Sequence, residues 1–397
     1  MAADAKYDLL IKGGHVIDPR NGVNGKSDVA VKNGKIARVA NRIDPAEAAK
    51  VIDVPGLYVT PGLIDIHVHV YHTKEPGGLS IVADHHMFRS GVTTVADTGT
   101  SGANHFLHFR NTVIDKSKVR IFAFVNVVKS GMIGPYEHDI REMDAELAAA
   151  TVLAHPDVCV GIKTAHYWTS EPFDELHPPW LSVDRAIEAS EICGKPVMVD
   201  FFPRPERTYP ELLRKMRPGD IHTHVFAQQF PVLDDKKKPQ KYMFDAAERG
   251  IVFDLGHGSA SFWYRNAIRC FENGFYPHSI STDLHIGNIN GPVFSMLTTM
   301  SKMLAIGMEL EDVIRKSTAA PAEEIGHPEL GSLSQGSDAD IAVLRCGTGR
   351  FGFWDCARTK MIGTSRLTCA MTVRGGEIVY DEDGHHLPHW GETDESR

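Results

Sequence analysis

Cysteine is scarce and scattered in this chain: six among 397 residues, at Cys159, Cys193, Cys270, Cys346, Cys356 and Cys369, with no CxxC pair. That spacing excludes a disulfide scaffold and a zinc knuckle, and leaves reduced thiols as the expectation. Long hydrophobic runs are missing too. No stretch approaches the roughly 18 apolar residues that read as a membrane span, so no membrane association is expected. Positive charge is in deficit, with 42 Lys and Arg against 51 Asp and Glu for a net −9. A surface that neutralises nucleic-acid phosphates needs the opposite balance, which leaves a small-molecule substrate as the expected partner. The opening MAADAKYDLL lacks the basic and apolar regions of a signal peptide. The chain therefore reads as cytoplasmic, a reading that a processed precursor given a new Met would share. No internal repeat or low-complexity segment stands out.

What is present is ordinary globular composition, 42% hydrophobic and 23% charged, with an unusual 21 histidines. Any metal chemistry would accordingly use imidazole and carboxylate ligands. The first fifty residues have hairpin grammar: YDLLIK, a Gly-Gly turn, Val16 and Ile17, a DPRNG turn, then Asp28 to Val31 followed by NGK. From Val59 the pattern changes to apolar runs spaced by helix-length segments: LIDIHVHV, VTTVAD, RIFAFVNVV, VCVGIK, PVMVDFF, DIHTHVF, IVFDLG and HSISTDL. Strands alternating with helices imply a parallel sheet, and eight such units match a (β/α)8 TIM barrel of about 250 residues. Hairpin grammar returns after Leu330 in DADIAVLRC and TCAMTVRGGEIVYDEDG. The expected α/β architecture is a distorted barrel over residues 56–330 beside a small composite β-domain built from 1–55 and 331–397. The charge run DDKKKPQKY reads as a solvated loop.

His67 and His69 end the first barrel run, and residues two apart on a strand share a face at the barrel mouth, where barrel chemistry sits. Such a pair also arises by chance in a histidine-rich chain. Its context is more specific: VTPGLIDIHVH, then SGVTTVAD, and finally ELGSLSQGSDADIAVL before the last strands. Across essentially the whole chain this pattern resembles the amidohydrolase superfamily. The resemblance implies a distorted barrel, one or two divalent ions (zinc, or manganese as the alternative), water activated to attack an amide or ester carbon, and a homo-oligomer.

Further ligands follow from the same resemblance. Lys163 in VCVGIKTAHY matches the fourth-strand lysine that is carboxylated and bridges two ions, because a carbamate offers the oxygens an ammonium lacks. As an isolated residue it would read as a snorkelling surface lysine. His224 in GDIHTHVF matches the sixth-strand histidine, although His222 shares its face. Asp283 in SISTDLH matches the eighth-strand aspartate that binds metal and takes the proton of the attacking water, where a bare sequence reading also allows a helix cap. The fifth strand departs from the pattern: KPVMVDFFP carries Asp200 where two-metal relatives have histidine. A carboxylate is still a ligand for zinc or manganese, but it is shorter than histidine and anionic. A retained two-metal site, an altered or single-metal site and a silent homologue all remain compatible with that exchange.

For the substrate, HVHVYH lacks the arginine that follows HxH in dihydroorotases and offers Tyr71 instead. His166, Tyr167, Arg204, His257 and His285 fall at strand ends or in the loops after them, and an arginine among aromatics suits an acylated, carboxylate-bearing molecule. DLGHG resembles the seventh strand of the dihydroorotase-like deacetylase branch, which includes D-aminoacylases. That branch implies a metal-dependent deacylase acting on an N-acyl amino acid or O-acyl α-hydroxy acid, with His257 or Tyr71 available to the developing oxyanion. The competing readings are a cyclic-amide hydrolase of dihydroorotase or hydantoinase type, and a catalytically silent homologue with an assembly role.

Overall fold

The computed structural model describes residues 5–73, 78–134, 136–164 and 166–392; the remaining positions of the expected end domain, 1–4 and 393–397, lie outside the described residues. Two sheets organise the chain. The first is mixed and eight-stranded, running Glu377–Asp381, Lys360–Arg374, Ile341–Trp354, Tyr58–Pro61, Tyr7–Asp18, Val23–Lys32 and Lys35–Ala40, with Ala48–Asp53 pairing alongside Tyr7–Asp18. Its two chain ends meet where Val343 lies opposite Val59 and Val59 opposite Val16. Alternate β-branched and aliphatic residues make this possible: Leu9, Ile11, Val29, Val31, Ile341 and Val373 form one buried cluster, as period-2 patterning requires.

This sheet differs from the sequence expectation in extent. Tyr58–Pro61 joins it beyond residue 55, and the strands Ile341–Trp354 and Lys360–Arg374 form a long antiparallel arm. The arm's outer half keeps a partial alternation, with Phe353, Gly363 and Leu367 buried, Arg350 and Arg366 exposed, and the Arg366 guanidinium lying over the Phe351 and Phe353 rings.

The second sheet is parallel, with neighbours in chain order: Leu63–Val68, Val92–Gly102, Arg120–Asn126, Cys159–Lys163, Val197–Val199, Ile221–His222 and Val252–Phe253. It curls, so that the segment expected as an eighth strand bridges both edges, Ser279 to Asp254 and Leu284 to Val68. That segment is not a regular strand. Part of its backbone bonds to side chains instead, since Asp65 accepts from the Thr282 amide at 3.0 Å and Thr282 Oγ1 from the Leu284 amide at 3.0 Å, while Asp283 takes a left-handed φ of 50°.

Ile64, Ile66, Phe122, Phe124, Val160, Met198 and Ile221 pack inside the curl against Ala322, Ile325 and Leu330 from the segment that closes its base. Helices cover the outside and are capped locally. Asp144 accepts from the Leu147 amide at the start of Ala145–Ala154, and Gly194 at φ 67° ends Leu181–Cys193. Among the described residues no helix is long and apolar enough to cross a membrane. Of the 234–242 charge run, 234–240 is a loop closed on Asp234, which accepts from the Lys236 and Lys238 amides, while Lys241 and Tyr242 open the helix Lys241–Glu248.

Candidate active site

The C-terminal ends of the parallel strands surround a cavity of 240 Å³ lined by His67, His69, Lys163, His166, Asp200, His224, Asp283 and His285, together with Leu79, Met132 and Ser259 to Ser261. Strand one delivers its pair through an irregularity. Its register against strand two shifts between Asp65 and Val68, a kind of break that re-aims side chains.

His67, His69 and Asp283 form the tighter half, with ligand atoms all within 4.8 Å of one another. Each imidazole is oriented from behind. His67 Nδ1 meets Thr223 Oγ1 at 2.8 Å, and that hydroxyl donates to Asp254 at 2.8 Å, while Ser279 and Ser281 also donate to Asp254. His69 Nδ1 meets Thr100 Oγ1 at 2.7 Å, and Asp97 accepts from the Thr100 and Val70 amides. With both Nδ1 atoms engaged, the Nε2 atoms face the cavity and Asp283 Oδ1, at 3.7 Å from His67 and 3.1 Å from His69. Outer partners of this kind fix ring orientation at metal sites. Burial pushes His67 down to about 3, with Lys163 adding to the effect, so its ring is neutral and able to ligate. Burial alone would raise Asp283, but His67, His69 and His224 outweigh it and hold the carboxyl below its usual range.

Lys163, Asp200 and His224 form the second half. Thr164 clamps the ends of strands four and five together: its hydroxyl accepts from the Asp200 amide at 2.8 Å and donates to the Asp200 carbonyl at 3.0 Å. Asp200 Oδ2 then lies 3.4 Å from His224 Nε2 and 3.9 Å from Lys163 Nζ, while Oδ1 lies 3.0 Å from His166 Nε2. Burial opposes the charge on Asp200, yet His166, His224 and Lys163 together keep its carboxyl well below the usual range. His224 Nδ1 is held by the Gly256 carbonyl at 2.6 Å, with the residue at a left-handed φ of 63°. The Lys163 stem lies against Gly99, where a Cβ would come within 2.7 Å of Lys163 Cγ.

Two atoms here, Lys163 Nζ and Asp200 Oδ1, are buried without a hydrogen-bond partner. An unmet buried polar atom costs about 1–3 kcal/mol. Two such atoms at the centre of an imidazole and carboxylate cluster fit a group that pairs them, and the donor set matches divalent ions of the zinc or manganese type.

The other expected contacts are not lining this cavity. Tyr71 Oη bonds His108 Nδ1 at 2.7 Å. The Tyr167 ring stacks near the Arg207 guanidinium. Arg204 donates to the carbonyls of Trp168 and Glu171 and lies 4.5 Å over the Phe173 ring. His257 is buried beneath the rim, bonded to Lys302 Nζ at 2.7 Å. His222 points away as well, into an aromatic pocket where Nε2 meets Tyr209 Oη at 2.8 Å.

Some residues at the site carried no sequence flag. Glu137 lies near His166 and Asp200 and is raised by its burial; nothing in GPYEHD announces it. Thr223 and Asp254 had a weak signal, because one separates the two histidines of HTH and the other precedes LGHG. Ser259 Oγ meets His285 Nε2 at 3.0 Å on the rim.

Known proteins place this geometry. A deacetylase of Enterococcus faecalis is 33% identical over 385 residues, covering 94% of this chain and 99% of its own length. A deacetylase of Brucella anthropi is 33% identical over 80% of this chain and 79% of its own. Among solved structures, one described as an adenine deaminase superposes with a TM-score of 0.85 at 31% identity, covering 95% of this chain and all of that one. A dihydroorotase superposes with 0.81 at 28% identity, covering 94% and 99%. The profile of the Amidohydrolase family matches residues 264–379. With a near full-length relative of this similarity and a cavity of histidines, lysine and aspartates at the strand ends, the chain belongs to the amidohydrolase superfamily of hydrolytic enzymes.

Proposed function

We propose that this enzyme is a metal-dependent deacylase that cleaves the amide or ester bond of an acylated, carboxylate-bearing small molecule, an N-acyl amino acid or an O-acyl α-hydroxy acid. One observation carries the choice: relatives named deacetylases match over 79% to 94% of the chain, whereas the dihydroorotase of Anaeromyxobacter dehalogenans matches over 17% of it. A cyclic-amide hydrolase is the second reading, favoured by the dihydroorotase superposition.

In the first reading His67, His69 and Asp283 would hold one ion, and carboxylated Lys163, Asp200 and His224 would hold a second. Bound divalent ions supply Lewis acidity, which polarises the scissile carbonyl and acidifies water. The chain's own part is positional. Thr223 and Thr100 keep the two imidazoles of strand one aimed inward, and Asp283 accepts the proton of the attacking water and passes it to the leaving amine or alkoxide. Because Arg204 is committed to backbone carbonyls, the substrate carboxylate is met at the rim by His285, Ser259 and Ser261. The segment 279–284 acts as the eighth strand of a (β/α)8 barrel, and the mixed sheet acts as a separate domain.

A panel of linear N-acyl amino acids and O-acyl α-hydroxy acids, run against dihydroorotate and hydantoins, tests this. Acyl release from linear substrates, abolished by chelation, is the expected result. Ring opening without acyl release would transfer the function to the second reading.

A further inference from the structure

The proposed reaction leaves a buried lysine unused. Lys302, on the helix Met296–Ala305, is 1% exposed, and its Nζ lies 2.7 Å from His257 Nε2 and 2.7 Å from the Pro292 carbonyl. The His257 ring is buried too, with Nδ1 3.0 Å from the Gly258 carbonyl. Burial, reinforced by Lys302, pushes His257 well below its usual value, so the ring is neutral and carries one N–H. A carbonyl only accepts, which puts that hydrogen on Nδ1 and leaves Nε2 as an acceptor for Lys302. Burial lowers Lys302 itself to about 7, yet even a neutral amine keeps two hydrogens, enough for both of its acceptors.

This chain of bonds ends beneath Asp283. Gly258 has a left-handed φ of 54°, its amide donates to the Thr282 carbonyl at 3.0 Å, and a Cβ there would come within 2.6 Å of Asp283 Oδ2. Its backbone is thus a wall against the carboxylate, and its carbonyl accepts from His257 Nδ1 and from Cys356 Sγ at 3.4 Å. The supports come from outside the barrel mouth. Cys356 follows the strand Ile341–Trp354, and Ser301, next to Lys302, accepts from the Leu367 amide of the facing strand at 3.0 Å.

We propose that Lys302 is a positioning residue for the hydrolytic step: it holds His257 in one tautomer, and His257 in turn fixes the Gly258 peptide against the carboxylate of Asp283. The proposal rests on the reading above in which Asp283 carries the proton, and it applies to acyl release and ring opening alike. Lys302 does not line the cavity of the candidate ligands, so its loss should cost rate and spare metal.

Lys302→Met keeps the apolar stem and removes the donor. On whichever substrate the wild type turns over fastest, kcat should fall about 100-fold with KM within about threefold, as for a misplaced reacting group and not for lost binding. Metal per chain should stay at the wild-type value. Lys302→Ala gives a second readout, because Lys302 also lines a 510 Å³ cavity with Leu297, Trp354 and Leu367, from which a small amine can enter the vacated space. n-Propylammonium, which supplies the missing atoms, should restore kcat saturably, and tetramethylammonium, a cation without an N–H, should not. Wild-type kcat in Lys302→Met overturns the proposal, as does a Lys302→Ala enzyme that n-propylammonium fails to rescue or that tetramethylammonium rescues equally. A kcat loss matched by lost metal also overturns it, by marking a merely structural role. Nitrogen NMR of isotope-labelled histidine, with His257 assigned by comparison with His257→Gln, reads the tautomer without reference to activity. The Nδ1–H form is expected, and the Nε2–H form overturns the proposal while leaving the hydrolytic reading intact. A wild type that turns over no linear or cyclic substrate overturns both.

Discussion

The two halves of the centre are built differently. Around His67, His69 and Asp283 the imidazole Nδ1 atoms are held by threonines backed by buried aspartates, and the cluster is compact before any ion binds. Around Lys163, Asp200 and His224, polar atoms are left unmet, a carboxylate stands at the end of strand five, and His166, 3.0 Å from that carboxylate, is half-exposed on a loop. The first half is preorganised by its surroundings. The second is completed only by what it binds, so the two should respond to substitution in different ways.

The largest contrast is chemical. Asp283→Asn removes a charge that both strand-one histidines face and the proton acceptor of the proposed step. Loss of a general base typically costs about 10²–10⁴ in rate, and kcat on the best acyl substrate should fall by at least that much. Lys163→Ala breaks the second half: metal content should drop below one and a half equivalents and activity with it, and bicarbonate should restore neither. A Lys163→Ala protein with two ions and full activity would erase the distinction between the halves.

Outer partners should matter mainly in the first half. Thr100→Val and Thr223→Val each leave one strand-one imidazole without its orienting bond, and such losses cost about 10–100-fold in metal affinity. Competition with a chelator measures this, with the first ion expected to weaken more than the second. The smallest effect belongs to the scaffold. Gly99→Ala places a Cβ at φ 76° and 2.7 Å from Lys163 Cγ, and a residue held in a disfavoured backbone region costs about 1–3 kcal/mol. A lowered Tm, accompanied by weaker retention of the second ion, is the expected outcome.

The same contrast explains what could be read from the chain alone. His67, His69 and Lys163 sit at or just past strand ends marked by their apolar context, whereas His224 and Asp283 follow the strand ends with left-handed φ of 63° and 50°; the structure brings all five to one cavity. The fate of loop residues depends on contacts that no periodicity encodes. Arg204 is drawn to the carbonyls of Trp168 and Glu171, Tyr71 to His108, and His257 to a buried lysine. His166 was legible as a residue of the site, but its closeness to Asp200 depends on the Thr164 clamp, which has no sequence signature. The eighth run lost its regularity for a similar reason, because Asp65 side-chain oxygens take a bond that a strand would have given to a neighbour.

The most direct measurement is an anomalous-difference map from crystals of the zinc-loaded protein. The account predicts two peaks, one enclosed by His67, His69 and Asp283 and one beside Asp200 and His224. A map with no peak at either position would contradict it.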